Sequence, residues 1–335
     1  MSRKLLTAFS VVLLITLSFI VFPASTAAQS EFLVTGPDEG FAPIVKVFNS
    51  QTGDFQFRAY QQSFTGGVRV ATGDVNGDGV PEIITAPGPG MPPTVRIFEQ
   101  HPRRGVRRVA SFLAFRGDFQ GGLSVAAGDI NGDGLDEIIV GAGPGGQPVV
   151  RVFDGQSNTI LLNFMAFDPS FRGGVYVAAG DVNGDGTDDI ITGAGAGGGP
   201  LVKIFNPVNL SLLNSFLAYD TTFVGGVFVA AGDVNNDGFA DVVTGAGPGG
   251  GPHVKVFDVH SNLIVLNSFF AFPPTFAGGV RVGCFDFNND GTLDVVVGAG
   301  PGAGPHVKIF DSNVNPLASF FAYPNFQGGV FVAGG

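Results

Sequence analysis

Tryptophan is absent from the 335 residues, cysteine occurs once, and tyrosine and histidine occur four times each. A single Cys excludes an internal disulfide framework and any thiolate zinc cage. Charge is sparse: 13% of residues are charged against 44% hydrophobic, which excludes a disordered polyelectrolyte. Positive charge is the scarcer sign, with 17 Lys+Arg against 28 Asp+Glu and a net charge of -11. A phosphate backbone attracts Lys and Arg, so no nucleic-acid partner is expected. The chain lacks a Walker loop, a Gly-x-Ser-x-Gly elbow and a His-Glu-x-x-His pair. With no recognisable nucleophile or acid/base pair, it is expected not to be an enzyme. Long apolar runs are missing after residue 22. What the chain has in quantity is Gly, 53 residues, and Phe, 34 residues. Glycine spread along the whole length implies one kind of turn used many times.

The N-terminus reads as an address. Ser2-Arg3-Lys4 is a short basic start, Leu5 to Phe22 is an apolar run of 18 residues, and Pro23 to Ala28 ends in small residues. That order is a secretory signal cut after Ala28. The competing reading is an uncleaved anchor, because 18 apolar residues is about the minimum for a span. Cleavage leaves 15 basic against 28 acidic residues, net -13. The expected product is secreted or held at the cell surface, with no stable membrane insertion.

Three tags recur six times each. Phe-x-Gly-Gly-[Val/Leu] starts at Phe64, Phe119, Phe171, Phe223, Phe276 and Phe326, spaced by 55, 52, 52, 53 and 50 residues. An aliphatic-[Lys/Arg]-[Val/Ile]-Phe tag places its basic residue at Lys46, Arg96, Arg151, Lys203, Lys255 and Lys308. Phe-x-Ala-[Phe/Tyr] ends at Tyr60, Phe115, Phe167, Tyr219, Phe272 and Tyr323. A period near 50 with short β-type segments means a propeller or a solenoid.

Each period holds four strand-like runs separated by Gly and Pro clusters, which break any helical reading. The first is Gly-Gly-Val-x-Val-Ala, as at Gly173 to Ala178. The second is continuously apolar, as at Asp241-Val242-Val243-Thr244, which suits a strand covered on both faces. The third, as at Val254 to Phe257, alternates and reads as half-buried. The fourth carries the Ser268 to Phe272 type of segment. Four antiparallel strands make one propeller blade. Residues 29–65 begin in mid-period, and 328–335 stop just after a first strand. The two ends therefore complete one blade and leave no open sheet edge. The predicted fold is all-β: a six-bladed β-propeller over 29–335, closed by pairing of the N- and C-terminal strands. Its repeats start near 66, 121, 173, 225 and 278, and the sixth blade is split between 328–335 and 29–65.

Between the first and second strands lies Asp-x-Asn-x-Asp-Gly-x-x-[Asp/Glu], five times over. The copies are Asp74, Asn76, Asp78, Glu82; Asp129, Asn131, Asp133, Glu137; and Asp181, Asn183, Asp185, Asp189. They continue as Asp233, Asn235, Asp237, Asp241, and Asp286, Asn288, Asp290, Asp294. Oxygen ligands at alternating positions of a tight loop can converge on one hard cation, and Gly at position six permits the turn. An all-oxygen donor set without His or Cys favours Ca2+. Asp-Gly and Asn-Gly also make good hairpin turns, which explains the Gly but not three carboxylates in nine residues. Five Ca2+ sites are expected, with affinity in the range of about 10⁻⁴ to 10⁻³ M as in extracellular modules.

Phe-x-Gly-Gly-Val, then Ala-x-Gly-Asp-Val-Asn-Gly-Asp-Gly, then Gly-Ala-Gly-Pro resembles the FG-GAP (VCBS-type) repeat of integrin α-chain propellers and bacterial surface proteins. The resemblance covers residues 31–335 and implies a calcium-bearing propeller used for adhesion or ligand binding. There are departures. The family's Gly-Ala-Pro is mostly Gly-Ala-Gly-Pro here, integrin propellers have seven blades, and the blade sewn from both termini has no calcium loop.

Other signals are weaker. Asn163, Asn214 and Asn267 read as turn residues before the fourth strand. The six basic residues of the third strands form a ring by symmetry; each is expected to lay its stem over apolar surface and meet an acid. His253 and His306 read as ordinary strand residues. The hairpin holding Arg103, Arg104, Arg107 and Arg108 is either a solvated turn or a contact for an anionic polymer. Arg116-Gly117-Asp118 spells an adhesion tripeptide, a weak match at this chain length. Three functions stay open. The first is a non-enzymatic adhesion or ligand-binding module for a glycan or surface protein. The second is a structural surface domain without its own ligand, and the third a polysaccharide-active enzyme. The oligomeric state is not legible.

Overall fold

The computed structural model describes residues 32–49, 53–101 and 105–335. The proposed signal at 1–28 lies outside the described residues. Among the described residues the strands form six antiparallel sheets of four, arranged as the blades of a ring. The first complete blade shows the pattern: β4 (Val68–Gly73), β5 (Glu82–Pro87), β6 (Thr94–His101) and β7 (Gly105–Leu113), paired in that order.

Burial follows the sequence pattern strand by strand. All six residues of β5 are buried, and so are all six of each later second strand: β9 (Glu137–Ala142), β13 (Asp189–Ala194), β17 (Asp241–Ala246) and β21 (Asp294–Ala299). Both faces of these strands meet a neighbouring blade, so an unbroken apolar run is stable there. Third strands alternate, and outer strands are mostly exposed on every second residue. The core therefore lies between blades: Ile84 and Val95 of one blade cluster with Leu123, Val125 and Ile138 of the next.

The ring closes as a seam. β24 (Val330–Gly334) pairs with β1 (Leu33–Pro37), which continues to β2 (Ile44–Phe48) and β3 (Phe55–Arg58). The register runs from Leu33 opposite Gly334 to Pro37 opposite Val330. A C-terminal strand is thus the innermost strand of a blade whose other three strands are N-terminal.

Blades approach closely at one glycine of the second strand. A Cβ on Gly141 would lie 2.3 Å from the Val175 carbonyl oxygen of the next blade, and Gly193 meets Val227 at 2.2 Å. The first Gly of Gly-Ala-Gly-Pro is therefore a packing residue as well as part of a turn signal.

The ring of basic residues differs from the sequence expectation. None of the six has an acidic partner among the described residues. Lys255 instead lies 5.4 Å over the Tyr219 ring of the preceding blade and donates to the Ala218 carbonyl at 3.0 Å. Arg151, Lys203 and Lys308 donate in the same way to Ala114, Ala166 and Ala271 at 2.8–3.1 Å. The neighbour's carbonyl and ring face take the place of the carboxylate. Asn163, Asn214 and Asn267 are also corrected: they stand inside the outer strands Ile160–Met165, Leu212–Leu217 and Ile264–Phe270. Asn163 Oδ1 accepts from Arg151 Nε across the ladder at 3.1 Å. Those strands begin earlier than their turn-like residues suggest, because cross-strand pairing outweighs Asn's weak β propensity.

Candidate metal centres

The five acidic loops join the innermost strand to the second strand of each complete blade, so repeat symmetry sets them on one face of the ring. In the first loop Asp74 accepts backbone N–H bonds from Gly77 at 2.7 Å and Gly79 at 2.8 Å. Asn76 Oδ1 accepts from the Asp78 N–H at 2.9 Å, and Asp78 accepts from Val80 at 2.9 Å. Gly79 has φ +80° and Gly77 +78°, the left-handed region that the sharp turn requires. The third, fourth and fifth loops repeat the contact from position six to Asp181, Asp233 and Asp286 at 2.8–2.9 Å.

The ninth position is the chemically distinctive one. Glu82, Glu137, Asp189, Asp241 and Asp294 open the second strands and are 0–2% exposed. Glu82 accepts from the Val75 N–H at 3.1 Å and from Asn76 Nδ2 at 2.6 Å. Among the described residues none of the five has a cationic side chain as ion-pair partner. Burial pushes Glu82 up to about 7, and the charges of Asp78 and Asp74 push the same way. Glu137, Asp189 and Asp241 rise to about 7 and Asp294 to about 6, again chiefly through burial.

A buried carboxylate beside two more carboxylates, with no cation to answer it, is the donor set a hard divalent ion would complete. The residue types therefore fit Ca2+. The side chains as placed are turned onto their own backbone, and no three acidic, His or Cys side chains among the described residues converge as a ready cage. Coordination would require the carboxylates at positions one and five to exchange backbone N–H partners for the ion.

Two site residues escaped the motif. Asp136 and Asp188 stand at position eight of their loops, and each reaches back to the preceding loop. Asp136 Oδ2 accepts from the Asp74 N–H at 2.8 Å, and Asp188 Oδ2 from the Asp129 N–H at 3.1 Å. Both are raised to about 6, first by burial. Backbone bonds run the same course: Asp136 to Asp74, Asp188 to Asp129, Ala240 to Asp181 and Leu293 to Asp233. The loops are therefore linked in series. The only available signal was an extra acid beside the motif in two copies of five.

Elsewhere the sequence candidates are dispersed. Arg103 and Arg104 lie outside the described residues. Arg107 and Arg108 are exposed on the long strand β7, where Arg107 pairs with Glu99 at 2.5 Å. The hollow of about 500 Å³ beside this hairpin is lined by Asp54, Asp78, Glu82 and Glu99, which repel an anion there. Arg116 and Asp118 pair with each other at 3.1 Å in full exposure. His253 and His306 start their strands and stack on aromatic neighbours, Phe270 and Phe321.

Comparison with known proteins bears on the repeat. The FG-GAP repeat family matches residues 121–160, 174–204 and 225–256. The chain carries FG-GAP repeats. With six four-stranded blades it fits an FG-GAP β-propeller. Integrin alpha-8 of Gallus gallus is 33% identical over 211 residues, covering 53% of this chain and 20% of the integrin. Integrin alpha-V of the same species is 25% identical over 206 residues, again 53% and 20%. The chain thus spans about a fifth of these relatives' length. Among solved structures, a protein of unknown function from Bacteroides caccae superposes with a TM-score of 0.57 at 14% identity. That match covers 91% of this chain and 99% of the other. Among the described residues, no helix is long and apolar enough to cross a membrane.

Proposed function

We propose that this FG-GAP propeller is an exported, calcium-binding, non-enzymatic module that attaches to a surface protein or glycan. The observation that carries the calcium half is the buried position-nine carboxylate, present in five loops without a cationic partner. Asp at positions one and five, Asn at three and the buried acid at nine would hold the ion. Its charge would answer the three carboxylates of each loop and fix the face they form. The binding half is supported by the FG-GAP repeats and the similarity to integrin α chains. Export is supported by the basic, apolar and small-residue order of residues 1–28.

Calorimetric titration of the metal-stripped protein with Ca2+ tests the first half. Saturable binding together with a higher melting temperature is expected; identical melts with and without Ca2+ reject it. An array of glycans and candidate surface proteins, read in Ca2+ and after chelation, tests the second. Binding that vanishes on chelation supports a calcium-ordered recognition face. A blank array from folded, calcium-loaded protein rejects the ligand half and leaves a structural domain.

A further inference from the structure

The inner strands place one residue each at the same register on the propeller axis, between two valine-like positions. In ring order these are Arg69, Ser124, Tyr176, Phe228, Arg281 and Phe331. They line a cavity of about 80 Å³ floored by the next valine of each strand. Four of the six are uncharged. The two arginines stand on the blades that flank the seam, with Phe331 between them: the Arg69 guanidinium lies 4.6 Å from its ring centroid and that of Arg281 4.9 Å.

Arg281 is 6% exposed. Its Nη2 donates to Asp38, but its buried Nε and Nη1 have no hydrogen-bond partner. Arg69 donates to the Gly66 carbonyl at 3.1 Å. Two guanidiniums thus share one buried carboxylate, with the exposed Glu39 adding a weaker negative charge beside Arg69, and two buried Arg281 donors stay unanswered. Burial draws Arg69 below its ordinary value, and the charge of Arg281 adds to that. Buried donors and a buried excess charge are both costly unless met by an acceptor. At about 30 Å³ per water, the cavity has room for a few waters or for a carboxylate on a short stem, not for a sugar ring.

We propose that this axial cavity binds one carboxylate, held between Arg69 and Arg281 against the Phe331 ring. The anion carries the charge that Asp38 leaves unbalanced and accepts from the free Arg281 donors. Its source is either a free short-chain acid or an Asp or Glu side chain presented by a partner protein. The site lies at the Phe-Gly-Gly end of the inner strands, away from the acidic loops, and does not rest on the calcium reading.

The test is fluorine NMR of trifluoroacetate titrated into the purified protein at constant ionic strength. Saturable line broadening is expected, competed away by acetate. Arg69→Gln keeps the Arg281–Asp38 pair and should weaken binding about tenfold or more, as expected for one charge-assisted contact. Asp38→Asn raises the positive excess and should tighten it, while the exposed Arg172→Gln should bind like the parent. No saturable broadening, or unchanged affinity in folded Arg69→Gln, overturns the proposal. If Arg69→Gln does not fold, equal or weaker binding by Asp38→Asn overturns it instead. Competition by N-acetyl-aspartate amide separates the sources: displacement at lower concentration than acetate assigns a protein side chain, and the reverse assigns a free acid. Repeating the titration on metal-stripped protein separates the two readings. Binding that persists where Ca2+ shifts no melting temperature keeps this site and rejects the calcium loops.

Discussion

At the scale of single residues, a basic side chain and, at three of the six junctions, a tyrosine add polar joints to the apolar packing between blades. Lys255 covers the Tyr219 ring and donates to Ala218, and the Tyr219 hydroxyl shares its one proton between the Thr244 and His253 carbonyls of the next blade, each at 3.0 Å. Tyr323 does the same across the seam, donating to Thr35 at 2.8 Å and Ile44 at 2.9 Å. Lys255→Met keeps an apolar stem and removes the ammonium, so it should cost about 1–2 kcal/mol from the lost cation–π contact and hydrogen bond. Tyr323→Phe removes the one donor that the Thr35 and Ile44 carbonyls share and should cost about 1–3 kcal/mol. Urea denaturation of each variant reads these losses; a change below a few tenths of a kcal/mol in both would contradict the staple. Both tags were visible in the sequence, but their pairing was not. Alternation tells which side of a strand is covered and is silent on which neighbour covers it. That is why the basic ring was expected to meet acids and meets carbonyls and rings instead.

At the scale of the element, strand and loop were legible to different degrees. Unbroken apolar runs such as Asp241 to Ala246 marked the strands buried on both faces, and the structure buries every residue of them. The loop motif named the position-nine acids, but their burial follows only from the blade next door. The position-eight acids Asp136 and Asp188 gain meaning only when adjacent loops touch. These shifts have a pH signature with a definite sign. A carboxyl raised to about 7 in the fold binds its proton more tightly there than in the unfolded chain. Unfolding then releases protons, so the stability of the metal-stripped protein should increase as pH falls from 8 through 7 towards 5. In saturating Ca2+ the same carboxylates must be ionised to hold the metal, so the calcium-induced gain should shrink over that interval. Calorimetric melts at pH 8, 6.5 and 5 test both slopes. A metal-free melting temperature that falls steadily on acidification through this range would sink the account. Gly141 gives a second prediction for the element. Its missing Cβ admits the Val175 carbonyl of the next blade, so Gly141→Ala should cost about 1–3 kcal/mol by overpacking. An unchanged denaturation midpoint would contradict that contact. Blade one, which carries Ala86 at the equivalent place, shows that the ring can adapt to one such side chain.

At the scale of the whole molecule, a ring of blades is only as cooperative as its weakest junction. Every complete blade is one continuous stretch of chain, whereas the seam blade depends on β24 reaching β1. That strand contributes five register pairs, and Phe32 and Gly335 exchange backbone bonds at 2.7 and 3.1 Å. Val330 and Val332, at 0% and 7% exposure, fill the space between the seam and its neighbours. Burying each valine contributes about 1.5–3 kcal/mol. Deleting Gly328–Gly335 would remove both, and would also open the β1 edge and the contacts of β24 with both flanking blades. The Arg281–Asp38 pair, the Tyr323 bonds and the packing of Leu33, Phe41 and Phe48 on blade five would then be left to hold it to the seam. The truncated chain should melt at a much lower temperature and over a broader range. A synthetic peptide of residues 328–335, added in excess, should restore part of the loss by refilling the inner position. Truncation that leaves the melting curve unchanged would show that the ring does not depend on its terminal strand. Loss without any rescue by the peptide would place the damage in folding rather than in the seam.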